Sequence, residues 1–287
     1  MKACKSLACV LGFVLAFAVV ATAATAPSLT FKFTAVNVPG ATSTFPYGLS
    51  DSGVIVGQYF DKNGLGHGFI LDGKKVTTID DGTNTACYGI DPRGVAIVGE
   101  YGLSGATGFL YKDGKFIDIP GPAGAILSGA NGINDAGEIV GYYFDSNGIS
   151  HGFLLKGKTY TTLDVPGAFA TWGSGINNDG SIVLSWVDSN GISKASLSDG
   201  KKYRTIDVPG AAGSVAEDIS TAGDVGYSWW DSAKLLHGAL FHGGRYYKFD
   251  HPKGIQTYAA GVNDYHVIVG GYQAKSNGPY QGYKATY

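Results

Sequence analysis

Charge is scarce in this chain: Asp, Glu, Lys and Arg make up 15% of its 287 residues, and glutamate occurs only at Glu100, Glu138 and Glu217. Basic residues form no runs, which argues against electrostatic binding of nucleic acid. Outside the first two dozen residues no window carries a convincing helical period, which argues against a helical fold. Gly-x-Ser-x-Gly, His-Glu-x-x-His and Walker patterns do not occur, so the common serine-hydrolase, zinc-protease and nucleotide-phosphate signatures are missing. Cysteine is limited to Cys4, Cys9 and Cys87. Glycine, by contrast, reaches 45 residues against 10 prolines. That is the balance of many short strands joined by tight turns.

Residues 1–23 read as a secretory signal peptide. Lys2 and Lys5 form the positive start, residues 7–20 the apolar run, and Ala21-Thr22-Ala23 the small-x-small cleavage site. The run of about 14 residues is short of the roughly 20 that a membrane-spanning helix needs. Ser6-Leu7-Ala8-Cys9 precedes this run instead of following it, so it does not read as a lipidation site. Cleavage leaves residues 24–29 as a short linker and 30–287 as one domain, secreted, periplasmic or at the cell surface and with no membrane attachment. It also removes Cys4 and Cys9, so Cys87 has no internal disulfide partner and is expected as a buried strand residue. Removing Lys2 and Lys5 from 21 basic side chains leaves 19 against 23 acidic ones, a net charge of about −4.

One six-residue pattern recurs through the rest. Its third copy is Gly132-Ile133-Asn134-Asp135-Ala136-Gly137; the others begin at Gly48, Gly89, Gly175, Asp218 and Gly261, so successive starts lie 41, 43, 43, 43 and 43 residues apart. Each repeat reads as four strands. In the third they fall near 125–133 (A), 138–144 (B), 151–155 (C) and 159–165 (D). The turns between them carry Asn, Asp and Gly, where a positive φ or a side-chain cap is needed. Four strands in about 43 residues match a propeller blade.

Closure decides the count. Strand D recurs at 76–80, 116–119, 160–165, 203–208 and 246–250, but the last repeat stops after its strand C at 283–287. Residues 31–40 resemble a strand D with its following loop, and they precede the first repeat. A terminal strand completing the last blade covers an edge and joins the ends of a ring. The expectation is therefore an all-β, six-bladed β-propeller of four-stranded antiparallel blades. Strand B carries a recurrent glycine, at Gly57, Gly99, Gly141, Gly226 and Gly270, attributed to close contact between neighbouring sheets. Leu184 replaces it in the fourth repeat. One extra residue before Gly99 and one fewer before Gly226 predict bulges or shifted registers in those two blades.

The repeat resembles the extracellular HAF-repeat family. The resemblance rests on His67-Gly68-Phe69 and His151-Gly152-Phe153, a degenerate His237-Gly238-Ala239, and the Ile-Asn-Asp-x-Gly turn and Ile-Val-Gly strand before them. It covers nearly all of the chain after the signal peptide, implies a propeller-like architecture and implies no activity. Thr107, Lys194 and Gln281 stand where the other three repeats lack the His.

The three histidines suggest a metal site, but strand C lies third from the axis and strands are about 4.8 Å apart. They cannot converge on one ion, and a shared structural role, such as capping backbone groups between blades, is expected instead. The turns beginning at Asp61, Asp145 and Asp188 start like calcium loops. An EF-hand loop needs Gly at its sixth position and Glu at its twelfth; here Gly is fourth, which is hairpin chemistry and leaves at most a weak surface calcium site. No cofactor and no metal ligand set is expected.

Residues that break the repeat point to function. Glu217 departs from it near the inner strand, where blades face the channel. Trp172, Trp186, Trp229 and Trp230 lie by the loops of one ring face and are the candidates for ligand binding. The expected function is an exported, non-enzymatic binding propeller, taken as a monomer, with an unknown extracellular glycan or protein bound at the channel mouth. Two alternatives stand beside it. One is a polysaccharide hydrolase or lyase with Glu217 as its catalytic carboxylate; the other is a passive cell-surface component.

Overall fold

The computed structural model describes residues 28–102 and 106–287. The expected signal peptide, with its cleavage site, Cys4 and Cys9, lies outside the described residues, as do residues 24–27 of the linker. Among the described residues no helix is long and apolar enough to cross a membrane.

The strands form six four-stranded sheets, and the first five follow chain order. The first blade is β2 (Ser43–Leu49), β3 (Ile55–Phe60), β4 (Gly66–Asp72) and β5 (Lys75–Ile79). The second is β6 (Thr85–Ile90), β7 (Ala96–Tyr101), β8 (Thr107–Lys112) and β9 (Lys115–Ile119), and the third β10 (Leu127–Ile133), β11 (Ile139–Phe144), β12 (Ser150–Lys156) and β13 (Thr159–Thr162). The fourth is β14 (Ala170–Ile176), β15 (Ile182–Val187), β16 (Ser193–Ser198) and β17 (Tyr203–Thr205). The fifth is β18 (Gly213–Ile219), β19 (Val225–Trp230), β20 (Leu236–His242) and β21 (Arg245–Phe249). The sixth takes β22 (Gln256–Val262), β23 (Val267–Gln273) and β24 (Tyr280–Thr286) from one end of the chain and β1 (Lys32–Val36) from the other. β1 runs antiparallel to β24, with Phe33 opposite Ala285, so the N-terminal strand fills the missing outer place.

Buried polar groups tie blade to blade. Asn134 Nδ2 donates to the Asn177 carbonyl at 3.2 Å, Asn177 Nδ2 to Ser220 at 3.0 Å, and Asn263 Nδ2 to Ser50 at 3.0 Å, the last joining the sixth blade to the first. Each strand A also begins with a buried hydroxyl. In four blades it accepts the N–H of the residue six back: Thr44 from Val38, Thr171 from Val165, Ser214 from Val208 and Thr257 from His251. Burying these groups without partners would cost about 1–3 kcal/mol each.

The strand-B glycines have a different cause from the one expected. A Cβ on Gly141 would lie 2.1 Å from the Gly129 carbonyl and 2.9 Å from the Phe153 ring, both in the same blade. Gly57, Gly99 and Gly270 meet Phe69, Phe109 and Tyr283 in the same way. The glycine therefore makes room for a large strand-C side chain beneath it. In the fourth blade the sizes are exchanged: Leu184 pairs with Ser196. In the fifth, Tyr227 pairs with Ala239, and Gly226 falls one residue earlier than the others, opposite Asp218. The fifth repeat thus lacks no residue. The extra residue of the second sits in the turn between Asp91 and Ala96, whose N–H and carbonyl close it. Bulges are not confined to these two blades. Every strand A–B pair has one at the same place.

Close contact between blades belongs to the strand-A glycines and, in strand B, to Gly226 alone of the five, where a Cβ would lie 2.5 Å from the Ala260 carbonyl of the next blade. A Cβ on Gly89 would lie 2.4 Å from the Asn131 carbonyl, and one on Gly132 would lie 2.9 Å from Gly175 Cα, each in the next blade. Cys87 is fully buried on β6, where burial pushes its thiol up to about 12. That thiol stays protonated and unreactive.

Candidate functional site at the channel mouth

The shared bulge in strand A is what builds the site. A bulge leaves one residue unpaired and re-aims its side chain. The six unpaired residues are Tyr47, Tyr88, Asn131, Ser174, Glu217 and Ala260, and together they line one axial pocket of about 180 Å³. Below it, Leu49, Ile90, Ile133, Ile176, Ile219 and Val262 surround a space of about 30 Å³, room for about one water molecule. The channel is therefore open at the face of the D–A and B–C loops and nearly shut further down.

Two side pockets adjoin the axial one. Between the fourth and fifth blades lies a pocket of about 280 Å³ lined by Trp172, Trp186, Ser185 and Val215, sharing Asn131, Ser174 and Glu217 with the axial pocket. Trp186 is held by its indole N–H, which donates to Ser196 Oγ at 3.0 Å. Between the first and second blades a pocket of about 330 Å³ is lined by Gln58, Phe60, Asn84, Tyr88 and Glu100. Glu100 links neighbouring blades: Tyr88 donates to its Oε1 at 2.8 Å and Tyr142 to its Oε2. Gly129 leaves the space for that contact.

Two neighbouring acidic groups, Glu217 and Asp218, are strongly perturbed. Burial raises the Glu217 carboxyl to about 7; the adjacent Asp218 adds to the rise and a hydrogen bond with Ser228 opposes it. Asp218 stands where the other strands A carry glycine. Burial lifts it to about 7 as well, although it accepts the N–H groups of Ile219 at 2.8 Å and of Val262, in the next blade, at 3.3 Å. Asp218 is thus tied into a blade junction while Glu217 faces the pocket. Burial pushes the Tyr47 and Tyr88 phenols well above their ordinary range, and the Glu217 and Glu100 carboxylates push them further. Both remain hydrogen-bond donors at neutral pH.

Of the four tryptophans singled out by the sequence, Trp172 and Trp186 meet Glu217 at one pocket. Trp229 is a correction. It is 9% exposed, its indole N–H donates to the Gly238 carbonyl at 3.1 Å, His237 stacks on its ring at 4.5 Å and Lys248 Nζ lies 4.0 Å over it. It is part of the fifth blade's packing, opposite His237 on strand C, the place that Trp186 holds opposite Lys194 in the fourth blade. Trp230, at the end of β19 opposite Gly213, lies outside the lining of both pockets. Tyr47 and Tyr88, 5.2 Å apart between ring centroids, were missed. Their signal was available: each directly precedes the repeat's glycine, a place that holds Tyr, Tyr, Asn, Ser, Glu and Ala in the six copies.

The repeated histidines are clamps within blades. His67 Nδ1 lies 2.5 Å from Asp80 and its Nε2 3.8 Å from Asp61. His151 bridges Asp164 and Asp145 in the same way, and His237 bridges Asp250 and Asp231. They cap carboxylates of their own blade, where backbone groups between blades were expected. The turn carboxylates also hold their own hairpins. Asp61 Oδ1 accepts the N–H groups of Asn63 at 2.8 Å and Leu65 at 2.9 Å, bonds that hold its carboxyl below the ordinary range. Asp145 does the same with Asn147 and Ile149.

Six sheets around an axis, closed by a strand from the opposite terminus, decide the architecture. The chain is a six-bladed β-propeller. Solved structures agree with this fold at low sequence identity. The β-propeller domain of the Trilobed protease from Pyrococcus furiosus superposes with a TM-score of 0.54 at 11% identity, over 85% of this chain and 81% of that one. The fucose-recognising lectin of Aleuria aurantia, a six-bladed β-propeller, gives 0.54 at 14% identity, over 88% and 93%. A putative TolB from Agrobacterium tumefaciens gives 0.57 at 14% identity, over 85% and 91%. No protein-family model and no curated protein matches the chain.

Proposed function

We propose that this propeller is a non-enzymatic binding module that takes a glycan at its channel mouth. The observation that carries the reading is the pocket in which Trp172 and Trp186 stand beside Asn131, Ser174 and Glu217. Aromatic faces stack on the apolar faces of sugar rings, and a few convergent polar groups fix the hydroxyls. Among similar folds, the Aleuria aurantia lectin recognises fucose, a property of that protein that makes a sugar the first ligand class to test here. The signal-like residues 1–23 and the HAF-like repeat support an exported protein outside the cytoplasm, where such ligands occur.

Glycan-array binding by the mature protein tests the reading. Retention of a defined glycan class is the expected result, lost in Trp172→Ala at unchanged thermal stability and in Trp186→Ala with a modest loss of stability, since that indole also bonds Ser196. No retained glycan, or binding indifferent to both tryptophans, would refute it. A second reading is favoured by one observation: a carboxyl raised to about 7 is poised as a general acid. In that case the mature protein would cleave extracellular polysaccharide and Glu217→Gln would abolish the cleavage while leaving binding intact.

A further inference from the structure

On the face opposite the mouth, at the seam of the fifth and sixth blades, three side chains from separate segments converge. Asp224 ends the A–B turn of the fifth blade, His242 ends β20, and His266 lies in the A–B turn of the sixth. Their ligand atoms all lie within 4.8 Å of one another, the one such group of His, Cys, Asp or Glu among the described residues. We propose that Asp224, His242 and His266 form a binding site for a borderline divalent cation, with Zn²⁺ as its representative.

The first mark of this site is a departure from the repeat. The place of His266 holds glycine in the other five A–B turns, at Gly53, Gly94, Gly137, Gly180 and Gly223, with φ from +74° to +87°. His266 adopts φ +58° there, a left-handed conformation that is strained for an L-residue. A glycine would serve the turn better. Strain of this kind is kept where a side chain is needed, and this one brings an imidazole to within 5.2 Å of the His242 ring.

The second is a buried carboxylate. Asp224 is 3% exposed, and no lysine or arginine pairs with it among the described residues. It is held by His242 Nδ1, 2.9 Å from both of its oxygens, and by the Tyr287 phenol, which donates to Oδ2 at 2.9 Å. The Tyr287 N–H also donates to the His266 carbonyl at 3.1 Å. One tyrosine thereby orients both a carboxylate and the strained turn, the outer-shell support that ligands commonly have.

The third is fit. Bonds of about 2.0–2.2 Å in a tetrahedron put ligand atoms roughly 3.3 Å apart. The Asp224–His242 pair must open by about 0.4 Å and the exposed His266 ring must swing inward. Two imidazoles and one carboxylate suit zinc and its neighbours better than calcium or magnesium, which prefer oxygen alone. Three protein ligands leave a fourth position for water or another donor. His67, His151 and His237 offer no such group, since each is clamped between carboxylates of its own blade.

Titration of ZnCl₂ into tag-free, EDTA-stripped mature protein, followed by calorimetry, tests the proposal. The expected result is one saturable equivalent, reversed by EDTA and not displaced by excess Ca²⁺ or Mg²⁺. His266→Gly restores the residue of the other turns, so it should fold at least as well as the parent, yet lose affinity by about 100-fold or more, above the 10–100-fold typical of outer-shell changes. Tyr287→Phe should lose about 10–100-fold. Failure of the parent to bind one equivalent, or undiminished binding by folded His266→Gly, would overturn the assignment.

Discussion

The exchange of volume between strands B and C yields a sharp prediction about how the blades tolerate change. In the third blade Gly141 lies opposite Phe153; in the fourth, Leu184 lies opposite Ser196 in the same register. Phe153 and Leu184 are both fully buried, so each blade fills its interior once, from one strand or the other. Leu184→Gly alone should cost about 3–5 kcal/mol for the cavity, and about 1 kcal/mol more for glycine in a strand. Ser196→Phe alone overpacks the site and should cost about 1–3 kcal/mol, together with about 1 kcal/mol for the Trp186 indole bond it removes. The double variant recreates the third blade's solution. It should recover about 3 kcal/mol of the summed cost, the upper range for contacting pairs. Urea unfolding of the four proteins measures this as an interaction energy. Additivity within about 0.5 kcal/mol would refute the reasoning, because it would mean that the two side chains do not compete for one space.

Two further predictions concern the ring and its mouth. The Glu217 carboxyl is raised in the folded state from 4.5 to about 7, so the folded protein binds the extra proton between those values. Its contribution to stability is therefore lost as pH rises from about 4.5 to 7, by at most about 3 kcal/mol. Glu217→Gln should match the parent near pH 4 and exceed it above pH 7; a difference that does not change with pH would contradict the assigned burial. Asn263→Ala removes the buried bond to Ser50 and the caps on Tyr265 and Val267, and should cost about 2–4 kcal/mol in denaturant unfolding. An effect below about 0.5 kcal/mol would show that the sixth and first blades are joined by other contacts alone.

Repeat spacing, turn residues and the displaced strand were legible in the chain because each is local or periodic. Gly64 at φ +82° and Asp61 accepting its own turn's amides are decided within five residues. Even ring closure could be read, since residues 31–40 carry a strand D that the last repeat lacks. The site was legible only in part. Glu217, Trp172 and Trp186 stood out by departing from the repeat, but nothing local distinguishes Trp172 from Trp229, which differ in the side of the sheet their strands turn to the pocket.

Where side chains from different blades meet is a matter of packing. A bulge common to all six inner strands aims Tyr47, Tyr88 and Glu217 into one pocket, a consequence of strand pairing that residue spacing does not carry. The glycine that makes room for Phe153 and the serine that makes room for Leu184 are meaningful only as pairs across a sheet. Asp224, His242 and His266 are brought together by two turns and a seam between blades. The ring and its number of blades are written in the chain, because periodic burial and tight turns are properties of consecutive residues. Its chemistry belongs to the assembled ring, because a site on a propeller is built from residues that neighbouring blades bring together.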